Sequence, residues 1–167
     1  MSSRSFFVNI KQKPVFIFSL LICVYVFLKN AWVTDDAFIL FRSLEQLFAG
    51  NGPNWNPHER VQVYTSPLWY FALAFARLFS ENYYLIAILI SGSCLVATLV
   101  VIRKLLRDDA RFFLVVLISI GSNGFYDYTS SGLENSMAYF LLSLFLLFYF
   151  ELFSRSCLLY TSDAADE

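Results

Sequence analysis

Between Tyr83 and Ile102 the chain runs for twenty residues without a charged side chain. Few folds accept such a run. About 20 apolar residues in a helix match the roughly 30 Å hydrocarbon core of a bilayer. Inside lipid the backbone must satisfy its own N–H and C=O groups, so the run is expected to be helical. Four further apolar segments accompany it, at about 14–32, 65–80, 112–125 and 137–153. The one at 65–80 is short, since its apolar part is Pro67–Phe79 unless Val63–Ser66 joins it. Composition agrees: 58% of residues are hydrophobic and 15% charged, where a soluble domain carries about 25% charged. The expected fold class is all-α, a polytopic transmembrane helix bundle.

Several classes are disfavoured. With a net charge of −1 and no basic stripe, nothing points to nucleic acid. Cys23, Cys94 and Cys157 have neither metal-site nor disulfide spacing. The first run follows Arg4, Lys11 and Lys13 but lacks a small-x-small cleavage site, because Lys29 precedes Ala31 by two and Trp32 follows it. It reads as a retained anchor.

Those basic residues put the N-terminus in the cytoplasm and the loop 33–64 outside. Arg103, Lys104, Arg107 and Arg111 ask for the inside as well. The two demands conflict if both intervening segments cross. Either the segment at 65–80 is interfacial or re-entrant, or the second basic cluster breaks the rule, and the sequence leaves both open. With Arg103 inside, the next crossing brings "DYTSSGLEN" to the side of Asp35.

The loop 33–64 is patterned. Phe38, Phe41, Leu44 and Phe48 recur at helical spacing, with Arg42, Glu45 and Gln46 between them. This is expected to be an amphipathic helix lying in the membrane interface. "GNGPNWNP" then ends it with turn chemistry, and Ser66 before Pro67 reads as an N-cap and first-turn proline.

Asp35 and Asp36 are the main candidates for chemistry. Thr34 can cap the helix, with first-turn acids favoured by its dipole; one acid would suffice for that. A pair at an outer membrane face can instead act as a general base on an acceptor hydroxyl, or hold a divalent cation such as Mg or Mn. Arg42 lies seven residues after Asp35, so both can share a face. It suits a phosphate, a lipid headgroup, or pairing with Glu45 or Gln46. His58, Glu59 and Arg60 cluster near the turn, and His58, the single histidine, reads as solvated. Tyr64 and Thr65 can contact a sugar or phosphate, or serve as an interfacial aromatic and a helix lead-in. Ser131-x-x-Glu134 is a capping-box pattern; its functional reading makes Glu134 a further outer acid.

The stretch "TDDAFILFRSLEQLFAGNGPNWNPHERVQVYTSPLW" resembles the first outer loop of GT-C-type membrane glycosyltransferases, most closely the arabinofuranosyltransferase-like proteins. The shared segments are Asp35–Ile39, Gly50–Gly52, Asn56–Val61 and Tyr64–Trp69. "YTSSGLEN" resembles a later Thr-Ser-Gly-Leu-Glu segment, with one extra serine. The resemblance implies a multi-pass protein of the bacterial cytoplasmic membrane with its active site outside. It would move sugar from a polyprenyl-phosphate donor to a glycan, lipid or protein acceptor, with inversion at the anomeric carbon. Asp35 and Asp36 would be catalytic or metal-linked, and Arg42, Glu59, Arg60, Tyr64, Thr65 and Glu134 would bind substrate. The rival expectation is a transporter or flippase of lipid-linked sugars, which would gather its ionisable groups near the midplane.

"CLLYTSDAADE", 157–167, departs from what precedes it and reads as the translation of a transposase-based sequencing-library adapter. Residues 1–156 are therefore expected to be the N-terminal fragment of a longer GT-C-like membrane protein, inactive alone.

Overall fold

A computed structural model describes residues 14–59, 61–106 and 108–163, with side chains to 152. The basic residues Arg4, Lys11 and Lys13, together with Arg107 and the last four residues of the tail, lie outside the described residues. The described chain is all-helical: α1 Pro14–Lys29, α2 Asp35–Phe48, α3 Pro67–Arg77, α4 Tyr83–Leu106, α5 Asp109–Gly121, α6 Asn123–Ser130 and α7 Asn135–Asp163. Among them α4 and, over Asn135–Leu152, α7 are long and apolar enough to cross a bilayer. α1 is apolar but has 16 residues.

The long helices line up by their ends. Phe16, near the start of α1, packs its ring 5.5 Å from that of Phe112, near the start of α5. The α4–α5 turn sits at that same end, with Arg103 paired to Asp109 and Arg111 to Asp108. Asp108 also caps α5, accepting from the Ala110 N–H at 3.0 Å. At the opposite end, the Tyr84 hydroxyl donates to the Ala31 carbonyl and the Ser130 hydroxyl to the Asn30 carbonyl. α1 and α5 therefore run one way, and α4 and α7 the other.

α7 packs chiefly on α4. The buried residues of these two helices include Ala87, Ser91 and Thr98 on one and Ser136 and Ser143 on the other. Small side chains let parallel helix backbones approach closely where dispersion, rather than water exclusion, drives packing. Gly92 does the same toward α1: a Cβ there would lie 3.2 Å from the Phe27 ring.

α2 and α3 form a lateral cap at the Asn30 end. α3 has 11 residues, about 16 Å at ~1.5 Å per residue, too short for a ~30 Å core. Its first turn reaches the α6–α7 turn through Trp69, and its last reaches the start of α4 through Arg77. Both ends of α3 thus meet one end of the bundle, and Arg103, Lys104 and Arg111 fall at the end opposite Asp35. Ser122, in extended backbone, breaks the segment expected at 112–125 into α5 and α6.

The amphipathic α2 needs a correction. Its inward residues are Ala37, Leu40, Phe41 and Leu44, which pack with Trp69, Tyr70, Leu73, Ile86 and Ala87. Phe38 and Phe48 are exposed. The buried stripe of α2 faces α3 and α4. α3 and the two residues after it carry an exposed apolar face: Leu68, Phe71, Phe75, Leu78 and Phe79 are 57% to 78% exposed, opposite the buried Trp69, Tyr70 and Leu73.

The two faces of α3 should separate in unfolding experiments in detergent. Leu73→Ala empties a fully buried site and should lower stability by about 2–5 kcal/mol. Phe75→Ala removes an outward ring and should change it far less; equal losses would mean the packed face is misassigned.

Candidate functional site

Asp35 and Asp36 begin α2, and Thr34 precedes them as N-cap without a side-chain capping bond. The expected threonine cap is not made. The Thr34 N–H donates instead to the Ser131 carbonyl at 2.9 Å. A residue 97 positions on in the sequence thus tethers the first turn of α2. Around this bond the Trp32 indole donates to the Asp127 carbonyl at 3.1 Å, and the Ser130 hydroxyl to the Asn30 carbonyl at 3.1 Å.

Gly132 follows with φ +80, a left-handed conformation that costs other L-residues roughly 1–2 kcal/mol. A Cβ there would come within 3.0 Å of Val33 Cγ1 and 3.1 Å of Ala37 Cβ. The buried Trp69 indole then donates to the Gly132 carbonyl at 3.0 Å. The Asp-Asp, Thr-Ser-Ser-Gly and Tyr-Thr-Ser-Pro-Leu-Trp segments, far apart in sequence, therefore meet at one end of the bundle. Trp69 and Gly132 carry this junction, and the sequence reading had not singled out either one. Their clue was position: each lies within a motif whose other members look chemical.

The capping box expected at Ser131-x-x-Glu134 does not form, because α7 begins at Asn135. The Ser131 hydroxyl donates back to the Tyr128 carbonyl at 2.9 Å. Glu134 is half-buried at the start of α7, where its carbonyl accepts from the Ala138 N–H at 2.9 Å.

Both aspartate side chains are exposed, with no hydrogen bond or ion pair among the described residues. Adjacent helical positions diverge by about 100°, so the two carboxylates do not face each other. Asp35 shares a row with Ile39 and Arg42, on the side turned away from the core. Asp36 flanks the packed side, in the row of Leu40 and Ser43. No group of three or more potential ligands occurs among the described residues.

Arg42 stands on the Asp35 face and pairs with Glu45 at 3.5 Å, about half exposed. Such a pair is weak, so the guanidinium is easily recruited by an anion. Tyr64 is half-buried, its ring stacked on Tyr70 at 4.5 Å, and the Tyr70 hydroxyl donates to the Ser43 carbonyl at 3.2 Å. Tyr64 thus serves packing against α3. Thr65 is exposed, as are His58 and Glu59, and Glu59 accepts from Asn56 Nδ2 at 2.9 Å. No described hydrogen bond or ion pair links Glu59 to α2. Arg60 lies outside the described residues.

No family model and no solved structure matches the chain. Over 111 residues it is 33% identical to a terminal β-(1→2)-arabinofuranosyltransferase of Corynebacterium glutamicum, covering 62% of this chain and 16% of that protein. Over 45 residues it is 42% identical to the protein of the same name from Mycobacterium tuberculosis, covering 27% of this chain and 7% of that protein. The chain spans a small part of the curated relatives it matches. The similarity is to arabinofuranosyltransferases, over part of the chain, in line with the resemblance its motifs carry.

Because neither aspartate has a described partner, Asp35→Asn and Asp36→Asn should each lower stability by at most about 1 kcal/mol, the scale of a first-turn charge at a helix dipole. Thermal unfolding of purified variants checks this; a loss of several kcal/mol would give the carboxylates a structural role.

Proposed function

We propose that this chain forms part of a membrane glycosyltransferase of arabinofuranosyltransferase type, with the first turn of α2 at its catalytic centre. The observation that carries the reading is the tethering of the Asp35–Asp36 turn to the Ser131–Gly132 turn. That contact unites two segments of the family resemblance around exposed carboxylates. The relatives' names add the reaction class.

In this reading α1, α4 and α7, and α5 continued by α6, cross the cytoplasmic membrane of a bacterium. The Arg103, Lys104 and Arg111 end faces the cytoplasm, and α2 and α3 lie outside. The outward stripe of α3 rests in the interface, as an in-plane helix does. A sugar carried on polyprenyl phosphate reaches the outer surface with its phosphate near Arg42. An acceptor hydroxyl on a glycan, lipid or protein attacks the anomeric carbon as the sugar–phosphate bond breaks. Asp35 or Asp36 takes the hydroxyl proton, and Arg42 meets the charge left on the phosphate. Glu134 and the loop carrying Glu59 and Thr65 border the acceptor side.

The distribution of charge favours this over transport of a lipid-linked sugar. α4 has no ionisable group between Tyr84 and Arg103 except Cys94, whereas a transporter gathers such groups at mid-span.

The decisive assay uses the full-length gene, with polyprenyl-phosphate arabinofuranose as donor and an arabinofuranoside as acceptor. Asp35→Asn or Asp36→Asn should reduce transfer by about 10²–10⁴-fold at normal expression. Full activity in both single variants and in the double variant would sink the catalytic assignment. Topology is tested separately, with single cysteines at Asn51 and Glu81 of the full-length protein in an otherwise cysteine-free background. Both should react with an impermeant reagent from the outside; reaction from opposite sides would put α3 across the membrane.

A further inference from the structure

The carboxylates lie at the N-terminal turn of a helix, which is where helices fray because their first N–H groups lack intrahelical partners. Thr34 supplies no side-chain cap to hold that turn. Exposed carboxylates on a frayed turn would not keep the precision that proton transfer to a bound hydroxyl requires. Something else must hold α2 in register, and the described contacts single out one candidate.

We infer that the Ser130–Gly132 turn is a strap that positions the carboxylates of α2, with Gly132 and Trp69 as positioning residues for the transfer reaction. This rests on the function proposed above. Three contacts bear on the first turn of α2. The Ser131 carbonyl accepts from the Thr34 N–H at 2.9 Å. The absent side chain of Gly132 admits Val33 on one side and Ala37 on the other, at 3.0 and 3.1 Å from where a Cβ would stand. Val33 and Ala37 bracket Asp35 and Asp36 in sequence, so a shift at either moves the carboxylates. From the far side, Trp69 holds the strap down through its indole bond to the Gly132 carbonyl at 3.0 Å. Trp69 is fully buried, so α3 fixes the strap and the strap fixes α2.

Neither Trp69 nor Gly132 is assigned any contact with substrate, so their variants should act on turnover. In the full-length protein, Trp69→Phe keeps most of the ring's packing and loses the indole donor. Gly132→Ala forces a methyl against Val33 and Ala37 and strains the backbone. With polyprenyl-phosphate arabinofuranose as donor, each folded variant should keep the wild-type KM for donor while kcat falls, for Gly132→Ala on the order of 10²-fold, as expected for a displacement near 1 Å. Val33→Ala in the Gly132→Ala background removes the nearest clashing methyl and should restore part of kcat. If Gly132→Ala does not fold, Trp69→Phe carries the test by itself. A folded variant with full kcat overturns the inference, as does a loss confined to KM or to the amount of folded protein. Asp35→Asn and Asp36→Asn, assayed on the same preparations, separate the two failures. If they abolish transfer while the strap variants do not, positioning fails and the catalytic reading stands; if they too retain full transfer, the catalytic reading itself is lost.

Discussion

Two hydrogen bonds, from the Trp69 indole to the Gly132 carbonyl and from the Thr34 N–H to the Ser131 carbonyl, join two parts of the described chain. On one side lies the α2–α3 cap, on the other the turn between α6 and α7. A buried carbonyl left without a donor costs about 1–3 kcal/mol, so the two parts are committed to each other. Gly132 then meets Val33 and Ala37, and the Asp35–Asp36 turn takes its place from that contact. The exposed end of the bundle is organised outward from this junction.

The rest follows from where charge can sit. α4 crosses its apolar length without a formal charge until Arg103, and the basic residues meet Asp108 and Asp109 at one end. The acids of α2 occupy the other. A second clamp keeps the cap shut: Arg77 lies over the Phe48 and Tyr83 rings at 5.4 and 5.6 Å, and donates to the Tyr83 hydroxyl and to Glu81. That arginine ties the ends of α2 and α3 to the start of α4 without placing a charge in the apolar middle.

Helices were legible because apolar runs of this length have one economical backbone solution in lipid. Helix content near 14–32, 83–102 and 137–153 could be read directly, as could a helix over the patterned part of 33–64. What could not be read is which way a short apolar helix turns. α3 and α1 have similar composition, yet α3 folds back against α2 because Trp69 and Arg77 both find partners at one end. Local signals also misled. Thr34 and Ser66 stand at the expected N-cap positions but make no side-chain capping bond, and Ser131 ends α6 instead of capping α7. The Thr34 N–H and the Ser131 carbonyl are used on each other, a tertiary bond that neither local pattern announces.

The sequence by itself determined that the chain is helical and apolar, and that its acids and bases stay out of the long runs. It also marked the motifs that suggest glycosyl transfer. Those properties depend on residue type and spacing, which a linear reading carries. The tertiary structure alone decided that Asp35 and Asp36 diverge, that Tyr64 is engaged in packing, and that Trp69 and Gly132 bind the motifs together. Those are contacts between residues dozens of positions apart. They depend on packing geometry at the end of a bundle, which spacing along the chain does not encode.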